Sequence, residues 1–419
     1  MGDYGLRQRR KDDQDYLLPQ TSHIKVRLPP KTKSGLTCCK LLFFVFVGLP
    51  LSLVGFGSYL VFTPGIIDPQ YYSMPEPPEL TGPLAVNDML TKAERLMEGE
   101  ISGPESILLD QGKLYTGTYN GKVVEILKNE VLRFVRWGPP PCGSYITEPT
   151  CGRPLGVRMT SNKQLIVADA YLGIYSVNIV EGKSTRLVEG GKVIDGRPLK
   201  FLNDVEIVHD DLILFTDSSS KWDRRRFLHI GLEAAGDGRL LSLVPSTGDV
   251  RVVLDGLHFP NGIQLSTDRS SVLIAETTMA RIIRYHLTGP NEGQSEIFKE
   301  NLPGYPDNIR MSSNGSLWVP LAGIRQKGHF SFLDFLGNKP WLRKIIAQVI
   351  PEAKLAGMFG QLKPKHSMIV LLDDKGNYVS SLHDPTGEVI PDISQLADGG
   401  NVLYFGSYHS EFIGRLNLI

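Results

Sequence analysis

Short segments of similar sequence recur along this chain, and their spacing restricts what it can fold into. Gly-Pro-Glu105-Ser-Ile, Arg-Pro-Leu155-Gly-Val, Phe-Leu-Asn203-Asp-Val, Phe-Pro-Asn261-Gly-Ile and Tyr-Pro-Asp307-Asn308-Ile follow one another at intervals of 50, 48, 58 and 46 residues. Repeats of that length, filled with short strands, are the pattern of a β-propeller, in which each repeat is one blade. Equivalent residues of the blades then meet at the mouth of a shared central channel. Four of the five segments bring Glu, Asn, Asn and Asp to that mouth, a ring of hard oxygen donors, and the segment at Leu155 is its apolar member.

The remaining pattern from about Ala93 onward is strand, turn, strand. Blade one is expected over Glu105–Leu109, Lys113–Thr118, Lys122–Leu127 and Val131–Trp137, and blade two over Leu155–Met159, Gln164–Ala168, Gly173–Asn178 and Ser184–Val188. Blades three, four and five begin at Phe201, Phe259 and Pro306. The last blade has only Ile393–Leu396, Asn401–Ser407 and Phe412–Leu418, so the stretch around Glu94–Met97 is expected to supply its outer strand and close the ring. Closure leaves few bare strand edges. The expected fold is therefore all-β, a six-bladed β-propeller preceded by a single N-terminal transmembrane helix.

Three segments interrupt the spacing: Gly138–Gly152, Ser218–Gly238 and Ile324–Pro364. Within the last, Phe332, Phe335, Ile345, Ile346 and Val349 fall at helical spacing over Phe330–Ile350. Loops joining strands two and three open on the same face as loops entering strand one. The interruptions are thus expected to overhang the oxygen ring as a lid, with plain loop padding as the alternative.

Leu41–Phe62 is an uncharged run of 22 residues rich in Leu, Val and Phe. At roughly 1.5 Å per helical residue it reaches about 33 Å, enough for a hydrocarbon layer of about 30 Å. Pro50 is tolerated in such helices, and forty polar residues precede the run, unlike a cleaved leader. Residues 1–40 hold nine Lys/Arg against four Asp/Glu, whereas Asp68, Glu76 and Glu79 follow the span. The basic side stays cytosolic, which predicts a type II arrangement with the propeller lumenal or extracellular. The layout is a cytosolic tail over 1–40, a signal anchor over 41–62, a Pro-rich tether over 63–92 and the propeller over 93–419. Beyond residue 40 the chain has 36 basic and 41 acidic residues, which argues against nucleic acid as a partner.

Cys142 and Cys151 fall on the oxidising side, so a disulfide is expected. Cys38 and Cys39 sit at the cytosolic edge of the span, as palmitoylation sites or as unmodified thiols. Asn314-Gly-Ser is a glycosylation sequon on the outer side.

Leu-Asn203-Asp, Phe-Pro-Asn261-Gly and Pro-Asp307-Asn308-Ile, with Glu105 ahead of them, resemble the calcium-ligand positions of paraoxonase-type six-bladed propellers. The run as a whole is similar to the strictosidine synthase-like family, notably in Gly-Tyr-Pro-Asp-Asn-Ile-Arg, Asn-Gly-Ser-Leu-Trp-Val and Leu-Tyr-Phe-Gly-Ser-Tyr. The resemblance implies that Glu105, Asn203, Asn261, Asp307 and Asn308 hold a calcium ion. Calcium takes six to eight oxygens at about 2.3–2.6 Å, and two carboxylates offset its charge. The alternative is that these Asn and Asp residues merely make turns. Asp204 matches one ligand of a second, structural ion, but Ser106 stands where its Asp partner would be. The histidines that paraoxonases place over the metal are replaced near Leu155 and Ala322, and no Glu aligns near Pro391–Asp392 for strictosidine condensation.

Two functions remain open. One is a calcium-dependent hydrolase of arylesterase or lactonase type acting on a small ester or lactone, with His258 or Glu105 as the base. The other is a non-catalytic, membrane-tethered module binding protein partners on the propeller face.

Overall fold

The computed structural model describes residue 40 and residues 43–418. Cys38, Cys39, Leu41 and Leu42 lie outside the described residues. The chain divides into one compact unit ending at Ser58 and a second from Tyr59 onward. An apolar helix runs from a π-helical turn at Phe44–Gly48 through an α-helix at Leu49–Phe62. Its 19 residues are long and apolar enough to cross a membrane.

The second unit is a six-bladed β-propeller. Blade one is Ile107–Asp110, Lys113–Gly117, Lys122–Leu127 and Glu130–Arg136, and blade two is Pro154–Met159, Leu165–Asp169, Gly173–Asn178 and Lys183–Glu189. Blade three is Leu202–His209, Leu212–Asp217, Gly238–Val244 and Asp249–Leu257; blade four is Pro260–Leu265, Ser271–Glu276, Arg281–His286 and Ser295–Lys299. In blade five the inner strand is broken into Gly304–Pro306 and Arg310–Met311, followed by Leu317–Ile324, Ser367–Leu372 and Tyr378–Asp384. Blade six combines Ile393–Asp398, Val402–Ser407 and Ile413–Asn417 with the N-terminal strand Glu94–Leu96, paired as Glu94↔Arg415 and Leu96↔Ile413. The closure expected from the short last blade is therefore present.

Inner and middle strands are buried on both faces, as at Leu165–Asp169 and Ser271–Glu276, while fourth strands such as Glu130–Arg136 are mostly exposed. The core consequently lies between blades. Leu273 and Ile282 of blade four pack with Leu317, Val319 and Val370 of blade five, and Ile166 and Ile174 of blade two pack with Val205, Phe215 and Leu241 of blade three. Burial of apolar area on this scale, about 25 cal/mol per Å², is what holds successive sheets together.

The insertions fold into helices. Ser218–Gly238 contains Phe227–Glu233, and Ile324–Pro364 contains Phe332–Gly337, Pro340–Val349 and Glu352–Leu362. The helical spacing read from sequence was real, but Asn338 and Pro351 divide the segment into three helices. Leu232, Leu336, Ala347 and Leu355 form a small second core there, and Ile67 of the tether joins it. The tether is irregular up to short 3-10 turns at Gly82–Leu84 and Met89–Lys92, yet fixed in place: Tyr72 Oη donates to the Leu333 carbonyl (2.8 Å), and Asp68 N donates to Glu233 Oε1 (2.7 Å).

Candidate metal centre

Asn203 and Asn261 owe their direction to bulges, as do Leu155 and Ser394 at the same place in their blades. The pairing of the inner strand with its neighbour slips between Pro154 and Val157, Leu202 and Val205, and Pro260 and Ile263, and again between Ile393 and Gln395. Each slip falls at the same place in its blade. A bulge bends the strand and re-aims the side chain, here for Leu155, Asn203, Asn261 and Ser394. In blade five the same place is the gap at 307–309 between the two half-strands. Glycine follows where inner strands crowd: a Cβ on Gly262 would lie 2.4 Å from Asn308 Cα, and one on Gly156 would lie 2.6 Å from Asp204 Cα.

Hydrogen bonding fixes the amides. Ser218 Oγ donates to the Pro260 carbonyl (2.7 Å), so it can only accept from Asn203 Nδ2 (3.1 Å). Thr277 Oγ1 donates to the Pro306 carbonyl (2.7 Å) and accepts from Asn261 Nδ2 (3.3 Å) in the same way. Both amides therefore turn their oxygens away from these hydroxyls, an assignment made by the network. Asn203 Oδ1, Asn261 Oδ1, Asp307 Oδ1 and Asn308 Oδ1 are all buried without a hydrogen-bond partner. Buried polar atoms are normally satisfied, so four orphans on the residues of one ring need an explanation. A hard divalent cation supplies one, because it takes carboxylate and amide oxygens alike. Among the described residues no three His, Cys, Asp or Glu side chains cluster as a metal site, and this donor set, two carboxylates and three amides, does not require such a cluster.

Charge tells the same story. Burial, and then the Glu105 charge, push the Asp307 carboxyl well above the ordinary range. Burial also raises Glu105, against Arg153 and Arg224. Arg153 is fully buried; its Nη2 lies 3.4 Å from Glu105 Oε2, and Nη1 donates to the Gly103 carbonyl (2.9 Å). Blade six contributes Ser394, whose hydroxyl donates to the Glu105 carbonyl (2.8 Å) and whose carbonyl accepts from Asn308 N (2.9 Å). Sequence reading passed over Ser394, although Asp-Ile-Ser394-Gln opens its blade much as Leu-Asn203-Asp-Val opens blade three.

A second acidic cluster lies beside the ring and is built differently. Arg310 forks onto Asp204 (Nη1–Oδ2 2.6 Å, Nη2–Oδ1 3.0 Å) and donates from Nη2 to Ser106 Oγ (3.1 Å). Arg158 Nη2 lies 3.3 Å from Glu206 Oε2, and its Nη1 lies 3.8 Å from Asp204 Oδ1. Burial pushes Asp204 up, but Arg310 and Arg158 outweigh it and hold the carboxyl below its ordinary value. The chain's own guanidinium thus sits between Asp204 and Ser106, where the resemblance pointed to a second ion.

The insertions converge over this face. Arg224 of the second insertion forks onto Glu148 of the first (2.9 and 3.1 Å), and Tyr145 Oη donates to Glu352 Oε1 of the third (2.8 Å). Cys142 and Cys151 form a disulfide that closes the first insertion. Lys363, at the end of the third, pairs with Asp392. Both line a cavity of about 250 Å³ with Leu321, His366 and Pro391. His258 is turned elsewhere: its Nδ1 lies 3.0 Å from the Ala234 carbonyl, and it has no hydrogen bond to the five ring residues. Asn314 is exposed in the turn at residues 312–316, its Oδ1 accepting from Ser312 Oγ (2.6 Å).

Comparison with known proteins agrees with this architecture. A strictosidine synthase family model matches residues 203–290, and a model of the strictosidine synthase-like N-terminal region matches residues 82–126. Among solved structures, the fold is similar to a gluconolactonase from Xanthomonas campestris (TM-score 0.50, 16% identity, covering 85% of this chain and 99% of that one). It is also similar to regucalcin, a calcium-binding protein from Agrobacterium tumefaciens (TM-score 0.49, 12% identity, 77% and 93%). The fold is a six-bladed propeller, and two of its segments are similar to the strictosidine synthase family. The chain is 47% identical over 353 residues to the adipocyte plasma membrane-associated protein of Gallus gallus (84% of each chain) and 40% identical over 418 residues to that of Homo sapiens (99% and 98%). It belongs to the adipocyte plasma membrane-associated protein family.

Proposed function

We propose that this chain is a membrane-anchored, calcium-binding hydrolase acting on small esters or lactones, of arylesterase or lactonase type. The observation that carries the reading is the set of four orphaned buried oxygens on Asn203, Asn261, Asp307 and Asn308, with the amides of Asn203 and Asn261 aimed by bulges and fixed by hydroxyls. Glu105, Asn203, Asn261, Asp307 and Asn308 would hold the ion. Bound there, calcium supplies charge stabilisation to an oxyanion forming on an ester carbonyl. The residues do the remainder. Ser218 and Thr277 lock the Asn203 and Asn261 amides, which limits reorganisation as charge develops. The converging insertions exclude bulk water, which strengthens every polar contact beneath them.

Glu105 is the better placed of the two candidate bases. It already belongs to the ring, beside the position the ion would take. His258 donates its Nδ1–H to the Ala234 carbonyl and makes no hydrogen bond to the ring. Relatives are named as plasma membrane-associated, and the apolar helix with its basic flank supports an N-terminus in the cytosol and the propeller outside it. That orientation also supplies the oxidising compartment suited to the Cys142–Cys151 bond.

The test is turnover of phenyl acetate by the full chain in detergent, with and without chelator and after Asp307→Asn. The reading requires activity that chelation abolishes and calcium restores. Calcium binding with no turnover on aryl esters or lactones would leave a metal-rigidified binding module instead.

A further inference from the structure

The insertions that cover the ring also carry an apolar rim that nothing in the propeller covers. Ile146 is 82% exposed and Trp341 is 53% exposed, and Tyr145, Phe330, Phe335 and Val349 are exposed with them. Among the described residues beyond Phe62, exposed aromatic side chains lie in the insertions or the tether, with the exception of Phe134 in an outer strand. Phe134 is capped by Lys122, whose Nζ lies 4.5 Å from the ring centroid. A soluble face seldom gathers so many large apolar groups without a partner.

The tether says which partner. Lys344 Nζ, on the helix Pro340–Val349, donates to the Val61 carbonyl (2.9 Å), and Gln348 Nε2 donates to the Pro64 carbonyl (3.2 Å). Those carbonyls flank Phe62, where the apolar run ends. One residue of chain reaches at most about 3.5 Å, so the helix that bears Trp341 is held within a few ångströms of the point where the chain enters the apolar run. Cations stand beside the aromatic rings: Lys339 Nζ lies 4.1 Å from the Phe335 ring centroid and Arg225 lies 5.5 Å from that of Tyr145. Aromatic and long basic side chains side by side suit the headgroup layer, the rings at the acyl boundary and the charges among phosphates.

We infer that the rim of the insertions seats in the headgroup layer of the same bilayer that anchors the chain, so that the ring faces the lipid surface. This rests on reading the apolar helix as membrane-spanning. The experiment uses the full chain in phosphatidylcholine–phosphatidylserine vesicles, with a nitroxide carried near the headgroup end of an acyl chain. Of the four tryptophans, Trp341 alone is exposed. The labelled lipid is expected to quench wild-type emission, and Trp341→Phe is expected to lose most of that quenching. Equal quenching in both proteins, or none in either, overturns the inference. Alkaline extraction separates the two layers of the argument. A chain released from the vesicles refutes the span and the seat together, whereas a retained chain with no lipid quenching refutes the seat alone. If Trp341 is shielded from aqueous acrylamide yet untouched by labelled lipid, the rim belongs to a second copy or another protein and the inference fails.

Discussion

Two acidic clusters lie side by side at the centre of this propeller, and the chain treats them in opposite ways. Around Asp204 it brings its own cations: Arg310 and Arg158 face Asp204 and Glu206, the charges balance, and Asp204 is held below its ordinary pKa. At the ring, Glu105 and Asp307 are pushed upward, and four oxygens lack partners. The first cluster is complete as folded. The second leaves buried oxygens unpartnered, which the proposed cation would satisfy. The same inner strands thus carry one acidic cluster neutralised by arginines and, beside it, one whose carboxyls are not neutralised in the same way.

The comparison breaks most readily at Arg310. Arg310→Met leaves Asp204 buried and half-compensated, which typically costs about 3–5 kcal/mol. Denaturant unfolding should show that loss, with the calcium affinity of the ring changed far less. Full stability in the variant would mean that Arg310 is not the internal cation described. Chelation comes next. A ligand bound only by the native state contributes about 2.7 kcal/mol at a hundredfold excess over its dissociation constant, so the propeller should melt lower in chelator. An unchanged melting curve on protein shown to be metal-free would undo the ring assignment.

Asp307→Asn is nearly isosteric and removes one of two ligand charges. Calorimetry should report calcium affinity down by at least tenfold, about 1.4 kcal/mol. Asp373→Asn is the matched control. Its carboxylate serves a turn, accepting from Lys375 N (2.9 Å) and Asn377 N (2.7 Å), so calcium binding should not change.

The smallest effect is the most diagnostic in sign. Without the ion, Asp307 binds its proton more tightly in the fold than in the unfolded chain. Its contribution is favourable at low pH and is lost as pH rises from the ordinary carboxylate range through the raised value. Asp204 works the other way: its contribution is present above that range and lost as pH falls through its depressed value. Raising the pH of chelated protein should therefore weaken it through the Asp307 contribution, and calcium should cancel that loss. A chelated protein whose pH profile matches the calcium-loaded one would contradict the raised carboxyl.

Much of this was legible in the sequence, for reasons that residues make plain. Repeats at blade spacing announced the propeller, and the short last blade announced the strand Glu94–Leu96. The oxygen residues Asn203, Asn261 and Asp307 stood out because one type of residue recurred at one place. The bulges did not stand out, since a slipped register between Leu202 and Val205 leaves no mark on composition. Arg310 was quoted as part of a motif without its role, because its partner Asp204 lies 106 residues away. Proline content in the tether says nothing of the Leu333 and Glu233 groups that bind it. His258 drew notice as an isolated histidine, and the Ala234 carbonyl that claims its ring could not be foreseen.

The shared sixth blade also sets a kinetic problem. Arg415 reaches Glu94 across 321 positions, so the ring closes only when the two most distant parts of the propeller find each other. Contacts of such separation are slow to form because the loop entropy is lost before any of it is recovered. Until then blade six has three strands and a bare edge, and an edge of that kind pairs readily with whatever strand it meets. The strand that decides the race between closure and mispairing is three residues long.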